Sequence, residues 1–397
     1  MDDDAQRLID GSAWREWCER LAAVGETILG DGYPSEPRDR AEGFRWLTRL
    51  MVHAVQMEIE TGDPLHPDFV RYETPDNQWG GPNPDNVYLR APIAPGEAYR
   101  VWGHTRGVRQ AIFSLHEGDM QLGEFGVWSE TSLDRLTVEE DGRLEILVSS
   151  DPAAADGEAN HLPMHPQARI LTIRIYQSDW ERDATPAFHI ERVGAEGVPR
   201  PAPAPETVAR GLDRAAHWVE ASASFWNQYT SAGRERAEPN VPMPPRQPPG
   251  GAEDIRYGAC FWELAPGEAL LLECERPDAE YFGFTLHTLG WLESGDFAER
   301  QTSLNDHQLH ADPDKRIRIV LAGEDPGVPN WIDTEARASG MLVYRYVWTQ
   351  TEPVPTARVI PVAEIRTVLP DTHPHVSLEQ RRVSLARRRE LLWNRYR

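Results

Sequence analysis

One stretch of this 397-residue chain repeats at a fixed distance, and that repeat limits the folds open to it. The segment "APGEAYRVWGHTRGVRQAIFSLH" at 94–116 aligns without a gap on "APGEALLLECERPDAEYFGFTLH" at 265–287, an offset of 171. Eight of the 23 pairs are identical, where unrelated segments would give roughly one or two. Arg174 and Arg345 stand at the same offset, as do Thr185 and Thr356. Around each copy run short β-rich segments separated by turn clusters. The first set is "NVYLRAPI", "AYRVWGH", "RQAIFSLH", "RLEILVSS", "LTIRIYQ" and "AFHIERV". The second is "GACFWEL", "ALLLECE", "YFGFTLHTL", "RIRIVLAG", "MLVYRYVWT" and "ARVIPVAEI". Strands of this length and spacing predict antiparallel sandwiches. Two copies are too few for a solenoid.

The expected fold is therefore mainly β with added helices: two related antiparallel β-sandwich modules, jelly-roll-like. An N-terminal helical segment covers 1–66, the first module 67–196, and a helix plus proline-rich linker 201–250. The second module covers 251–370 and a basic C-terminal helix 371–397. In the first segment, Trp14, Trp17, Cys18, Leu21 and Ile28 recur at helical spacing, as do Phe44, Leu47, Met51 and Ala54. Val208, Leu212, Ala215, Val219 and Trp226 make a stripe in the inter-module helix. Six prolines between Pro239 and Pro249 predict a stiff, extended link.

A formal net charge of −23 argues against nucleic acid and anionic membrane as partners. No apolar run approaches a membrane span, and the acidic start "MDDDAQRLID" lacks an apolar leader core, so a cytoplasmic protein is expected. Three cysteines without CxxC spacing fit reduced thiols. Phosphate-binding loops, dinucleotide fingerprints, nucleophile elbows and zincin motifs are all missing, which predicts no cofactor.

The pattern "WGGPNPDNVYLRAPI" followed by "YRVWG", and later "SLNDHQLHADPDKRIRIVLAGEDPGVPNWIDT…GMLVYRYVW", resembles the bacterial domain-of-unknown-function family 1214. The resemblance is strongest in 303–348, in the C-terminal module, and implies the customary partner family 1254 upstream. It implies sandwich domains with helical additions and no established catalytic residues.

Candidate chemistry comes from residue types and their neighbours. In "FSLH" and "FTLH" the Phe and Leu should face the core, placing Ser114/His116 and Thr285/His287 on the opposite face. Histidine suits acid–base work near neutrality, and so would a structural hydrogen bond at this repeated place. His287 is the catalytic candidate, with Glu293 and Asp296 of "WLESGD" supplying a carboxyl beside Trp291. Trp291 and Trp331 would form an apolar wall, while Asn305, His307 and Asn330 would orient a substrate. Arg345 would take Asp333 as a buried partner or contact the substrate. "HPHVSLE" places His373, His375 and Glu379 at a metal-like spacing. Pro374 and the run into a helix favour an N-cap at Ser377 instead, so no metal is expected. In "LNDHQLHADPD", His307 and His310 would face opposite sides of a strand, and Asp312–Asp314 reads as a hairpin turn. "ETPDNQWGGPNPDNVYL" (73–89) reads as a rigid corner of Asx turns rather than a calcium loop.

These residues predict a hydrolase or lyase acting on a small, partly apolar, hydroxylated molecule. The alternatives are a non-catalytic binder or an oligomerisation protein. For the C-terminal helix, burial of Leu392 and Trp393 should dominate its docking on an acidic surface of this chain or of a second subunit in a homo-oligomer.

Overall fold

The structure is a computed structural model that describes residues 2–247, 252 and 254–396. The chain divides into two compact units. Unit 1 comprises residues 1–79, 86–177 and 184–228; unit 2 comprises 80–85, 178–183 and 229–397.

The strands of unit 1 are β1 (Val70–Arg71), β2 (Asn86–Pro92), β3 (Tyr99–His104), β4 (Gln110–His116), β5 (Val127–Ser132), β6 (Arg143–Ser149), β7 (His161–Pro163), β8 (Ile170–Tyr176) and β9 (Phe188–Arg192). Those of unit 2 are β10 (Met243–Arg246), β11 (Ile255–Glu263), β12 (Glu268–Glu275), β13 (Ala279–His287), β14 (Ser303–Asn305), β15 (Arg316–Ala322), β16 (Trp331–Asp333), β17 (Ser339–Thr349) and β18 (Thr356–Pro361). In unit 1 the sheets run β1-β2-β8-β4-β5 and β7-β6-β3-β9. In unit 2 they run β10-β11-β17-β13-β14 and β16-β15-β12-β18. Each strand of the second set holds the place of the strand nine earlier. The registers agree as well: His116 pairs Ile170 and His287 pairs Met341, both shifted by 171. Both modules also share one parallel pair, β6 with β7 and β15 with β16.

Period-2 alternation builds each core. In β4, Ala111, Phe113 and Leu115 face inward, and in β8 Leu171, Ile173 and Ile175 do so. They meet Tyr99, Val101, Ile146 and Ile190 from the other sheet. In unit 2 Phe282, Phe284 and Leu286 meet Leu270, Leu272, Ile317 and Ile319. Ser114, His116, Thr285 and His287 lie on the opposite face, as the alternation predicts.

Five helices bear on the sites: α1 (Asp3–Ile9), α2 (Ser12–Ile28), α3 (Pro37–Ala54), α4 (Pro205–Arg236) and, after a one-turn α5 (Ile365–Val368), α6 (Leu378–Tyr396). Helix α3 buries Leu47 and Ala54 of the expected stripe together with Trp46, Leu50 and His53, while Phe44 is 42% exposed, so the buried face is rotated from the one expected. Its last turn continues as a π-helical segment, Val55–Glu60, that brings Met57 inward. The proline-rich segment contributes the edge strand β10, where missing amide donors cost nothing, instead of serving only as an extended link. Its residues 248–250 lie outside the described ones. Among the described residues no helix is long and apolar enough to cross a membrane.

Candidate functional sites on the polar sheet faces

In unit 1 the polar face of the five-stranded sheet carries Tyr88 and Arg90 from β2, Thr172 and Arg174 from β8, and Ser114 and His116 from β4. Arg90, Thr172, Ser114 and Glu130 stand in one cross-strand row. Ser114 Oγ donates to Glu130 at 2.7 Å, and His116 Nε2 lies 3.0 Å from Thr172 Oγ1. Arg90 pairs with Asp119 at 2.5 Å, and the second oxygen of Asp119 accepts the Trp218 indole N–H at 2.8 Å. Over this face lies an aromatic cluster. Trp79 sits 5.0 Å from Trp218, 6.0 Å from Trp226 and 6.1 Å from Tyr72, whose ring is 5.8 Å from Tyr88. His53 joins the same rings at 6.0–6.4 Å.

Burial, with Arg90 nearby, pushes both His53 and His116 down to about 3. Both are neutral at physiological pH. Asn77 Nδ2 donates to His53 Nδ1 at 3.4 Å, which places the His53 proton on Nε2. That buried donor has no partner among the described residues. The same holds for Trp79 Nε1, Ser222 Oγ and both amide atoms of Gln121. Buried polar atoms normally find a partner, and several orphans in one unit mark a place for water or ligand.

Beside the Arg90–Asp119 pair a cleft of about 310 Å³ opens. Met57, Val70, Ile93, Leu122 and Ile170 form its apolar walls, while Arg169, Arg214 and Glu124 add charge. Burial raises the Glu124 carboxyl above its ordinary range, and the negative charges of Asp119 and Glu117 add to it.

In unit 2 the matching face is filled by the segment Gly81–Asp85. Arg345 donates to the Gly81 carbonyl at 3.0 Å, Ser294 Oγ to the Pro82 carbonyl, and Arg395 to the Pro84 carbonyl at 2.6 Å. Asn83 donates to Tyr281 Oη at 2.8 Å. Asp85 accepts Tyr281 Oη at 2.8 Å, Asn305 Nδ2 at 2.7 Å and Trp180 Nε1 at 2.8 Å. Burial outweighs these donors, so the Asp85 carboxyl is raised. Gly81 has φ +72°, and a Cβ there would come within 3.2 Å of the His287 ring. The Asx-rich stretch thus supplies a plug, with glycine where the chain passes His287.

The sequence-predicted site residues distribute around this plug. His287 is buried, with Nδ1 3.1 Å from Ser294 Oγ, and burial holds it well below its ordinary value. Asn305 holds Asp85 and the Ser178 carbonyl. Arg345 reaches Gly81 and lies over Tyr257, while Asp333 pairs instead with Arg300 at 2.7 Å. The expected Arg345–Asp333 pair is therefore replaced by two separate contacts. Glu293 is buried in a tight turn with Thr288, and Asp296 is exposed with its N–H on Glu335. Trp291 is buried, and His307 is exposed 3.7 Å from Asp179. Trp331 donates to the Ala322 carbonyl and lies under Arg381. Asn330 ties the His310 backbone and the Arg318 carbonyl; Asn160 makes the same three bonds to Thr137 and Glu145. Ser377 caps α6 in a reciprocal box with Gln380. His373 turns elsewhere, towards Asp312 and His310, whose possible ligand atoms lie within 4.8 Å of one another.

Helix α6 docks through arginines seven residues apart. Arg381 binds Asp325 and Gln301, Arg388 binds the Phe297 carbonyl and Ser303, and Arg388 and Arg395 both stack on Trp180. Leu392 is buried beside Phe297 and Ala298, with Trp393 only partly so. Charged contacts thus share the docking that apolar burial was expected to dominate.

Comparison with known proteins finds a family match over part of the chain. Residues 95–179 match the family described as "Protein of unknown function (DUF1214)". The matched segment falls in the first module, whereas the resemblance was strongest in 303–348; both modules carry the repeated strand pattern, so one motif has two places to settle. The crystal structure of an uncharacterised protein from Burkholderia cenocepacia is 29% identical, covers 91% of this chain and 100% of its own, and superposes with a TM-score of 0.82. The VPA0106 protein from Vibrio parahaemolyticus is 11% identical over 80% of this chain and 98% of its own, with a TM-score of 0.47. The curated proteins offer no match.

Proposed function

We propose that this protein binds a small, partly apolar, hydroxylated molecule in the cleft of unit 1. The observation that carries the reading is the cleft of about 310 Å³ beside a buried Arg90–Asp119 pair, with apolar walls and a Glu124 carboxyl that burial raises above its ordinary range. Apolar walls with a few convergent polar groups are the usual composition of a small-molecule site. The orphaned atoms of His53, Trp79, Gln121 and Ser222 in the same unit support it.

Acid–base catalysis of hydrolase or lyase type is the second reading, and Glu124 favours it. A carboxyl whose pKa is raised above the ordinary range is better suited to act as a general acid. His53 and His116 are already neutral and would accept or donate hydrogen bonds without changing charge. In the alternative with His287 and Glu293 or Asp296, His287 packs against Gly81 of the filled face, while Asp296 is exposed.

The test is saturable binding of hydroxylated aromatic and aliphatic fragments, read by tryptophan fluorescence and calorimetry. Leu122→Trp, which fills the cleft, should abolish binding, and Glu124→Gln should weaken it about tenfold. Binding unchanged in Leu122→Trp, or no saturable binding by any fragment, would sink the proposal.

A further inference from the structure

A second cluster lies in unit 2, apart from the plugged face, and joins His373 of "HPHVSLE" to His310 and Asp312 of "LNDHQLHADPD". Asp312 sits in the tight turn before β15, closed by Lys315 N–H on the Asp312 carbonyl. Its Oδ2 accepts Arg318 Nη1 at 2.6 Å. Its Oδ1 faces two histidines: His373 Nδ1 at 3.0 Å and His310 Nε2 at 3.4 Å. Those spacings are close to the separation of roughly 3.4 Å between two ligands that each bind one tetrahedral ion at about 2.1 Å.

We propose that His310, Asp312 and His373 form a binding site for a divalent first-row transition-metal ion. The hydrogen-bond account of the cluster leaves a deficit. His310 Nε2 is buried and makes no hydrogen bond among the described residues, with Asp312 Oδ1 3.4 Å away. An ion would take the lone pair of this nitrogen, together with one ligand atom each from Asp312 and His373. Two histidines and one carboxylate suit zinc, iron or manganese rather than magnesium or calcium, and leave coordination positions open.

The surroundings match what such a site needs. Ligands must be held in place by groups behind them. Arg318 fixes Asp312 through Oδ2, which His373 Nδ1 also approaches, at 3.1 Å. Asn330 fixes the His310 backbone through its N–H at 2.8 Å and its carbonyl at 2.7 Å. His373 N–H closes a turn on Pro370, and Arg366 binds the His373 carbonyl. Charge is also suitable. Arg318 is shared by three carboxylates, Asp312, Asp314 and Glu273, and the further cation Arg358 reaches only Glu273, at 3.9 Å. His310 is only half-buried, which leaves an approach from solvent.

The experiment uses full-length protein, stripped with chelator and titrated with cobalt(II), then with zinc(II) in competition. Absorption in the visible range and calorimetry report the binding, and thermal melting reports the fold. The expected result is one cobalt per chain with a higher melting temperature, and binding weakened about 10–100-fold, as for a lost ligand, in His373→Ala and His310→Gln. His375→Ala, the neighbour in sequence, should bind as well as the unaltered protein. If His373→Ala fails to fold, the half-exposed His310→Gln decides alone. No stoichiometric binding by the unaltered protein overturns the site. So does binding that survives in His310→Gln, because the ion then sits elsewhere.

Discussion

The two modules share strand order and register, yet their polar faces have opposite contents. Where unit 1 has Thr172 beneath His116, unit 2 has Val343 at the same offset. Where unit 1 has Asp119 paired with Arg90, unit 2 has Gly290 and Ala259. The second face is instead filled by Gly81–Asp85: the Gly81, Pro82 and Pro84 carbonyls and the Asp85 carboxylate all receive donors, and Arg345 Nη1 is left unmet among the described residues. The first is covered by aromatic rings that leave buried polar atoms unmet, with a cleft beside them. One frame therefore serves two ends: a sealed polar core that stabilises, and a face that still has hydrogen bonds to give. Backbone topology does not choose between them; the cross-strand rows do.

Acid should break both faces, and this is the largest expected effect. His53, His116 and His287 all have folded pKa values depressed below 6.5. A depressed value means that the unfolded chain takes up the proton first. Their stabilisation is whole above pH 6.5 and is lost as pH falls below it, by up to about 1.4 kcal/mol per pH unit for each histidine. Denaturant melts at pH 7.5 and 5.5 should show a steep loss, blunted in His116→Gln. A flat profile would mean that these histidines are solvated.

Next comes the plug. Asp85→Ala strands the donors of Tyr281, Asn305 and Trp180 in a dry interior, and should cost about 3–5 kcal/mol in chemical denaturation. A loss below about 1 kcal/mol would show that water already reaches this face. In α6, Arg388→Ala should cost about 3 kcal/mol and Trp393→Ala about 1, because Arg388 is fully buried and bonded while Trp393 is not. Burial presses Arg388 down to about 10, which still leaves it charged at neutral pH. Equal losses in the two variants would restore apolar burial as the main docking force. The smallest effect sharpens the likeness instead. Asn160→Ala and Asn330→Ala each remove the same three bonds, and their losses should agree, at about 2 kcal/mol. A clear inequality would show that the shared frame is not supported alike in the two modules.

Much of the frame was legible because strand alternation is local. Twelve of the strands sit on the runs the sequence marks, and the His and Ser positions face as alternation says. The six missed strands, β1, β5, β7, β10, β14 and β16, all lie at sheet edges. There pairing on one side suffices and no alternation is needed, so β10 tolerates two prolines. The sites were less legible because they join distant residues. Asp85 meets Asn305 across 220 positions, and His373 meets Asp312 across 61. The H-x-H spacing around His373 was a local signal for a contact that lies elsewhere. Asp333 offered Arg345 a plausible charge, but Arg300 reaches it first. His53 and Trp79 gave no signal beyond composition, since a histidine on a helix face and a tryptophan in a turn are ordinary core residues.

The contrast between an available face and a sealed one is tested most directly by soaking crystals with a panel of small hydroxylated fragments. The account predicts fragment density in the cleft between Arg90, Leu122 and Glu124, and none against His287 and Arg345. Fragments that displace Gly81–Asp85 and settle at His287, with the Arg90 cleft empty, would contradict it.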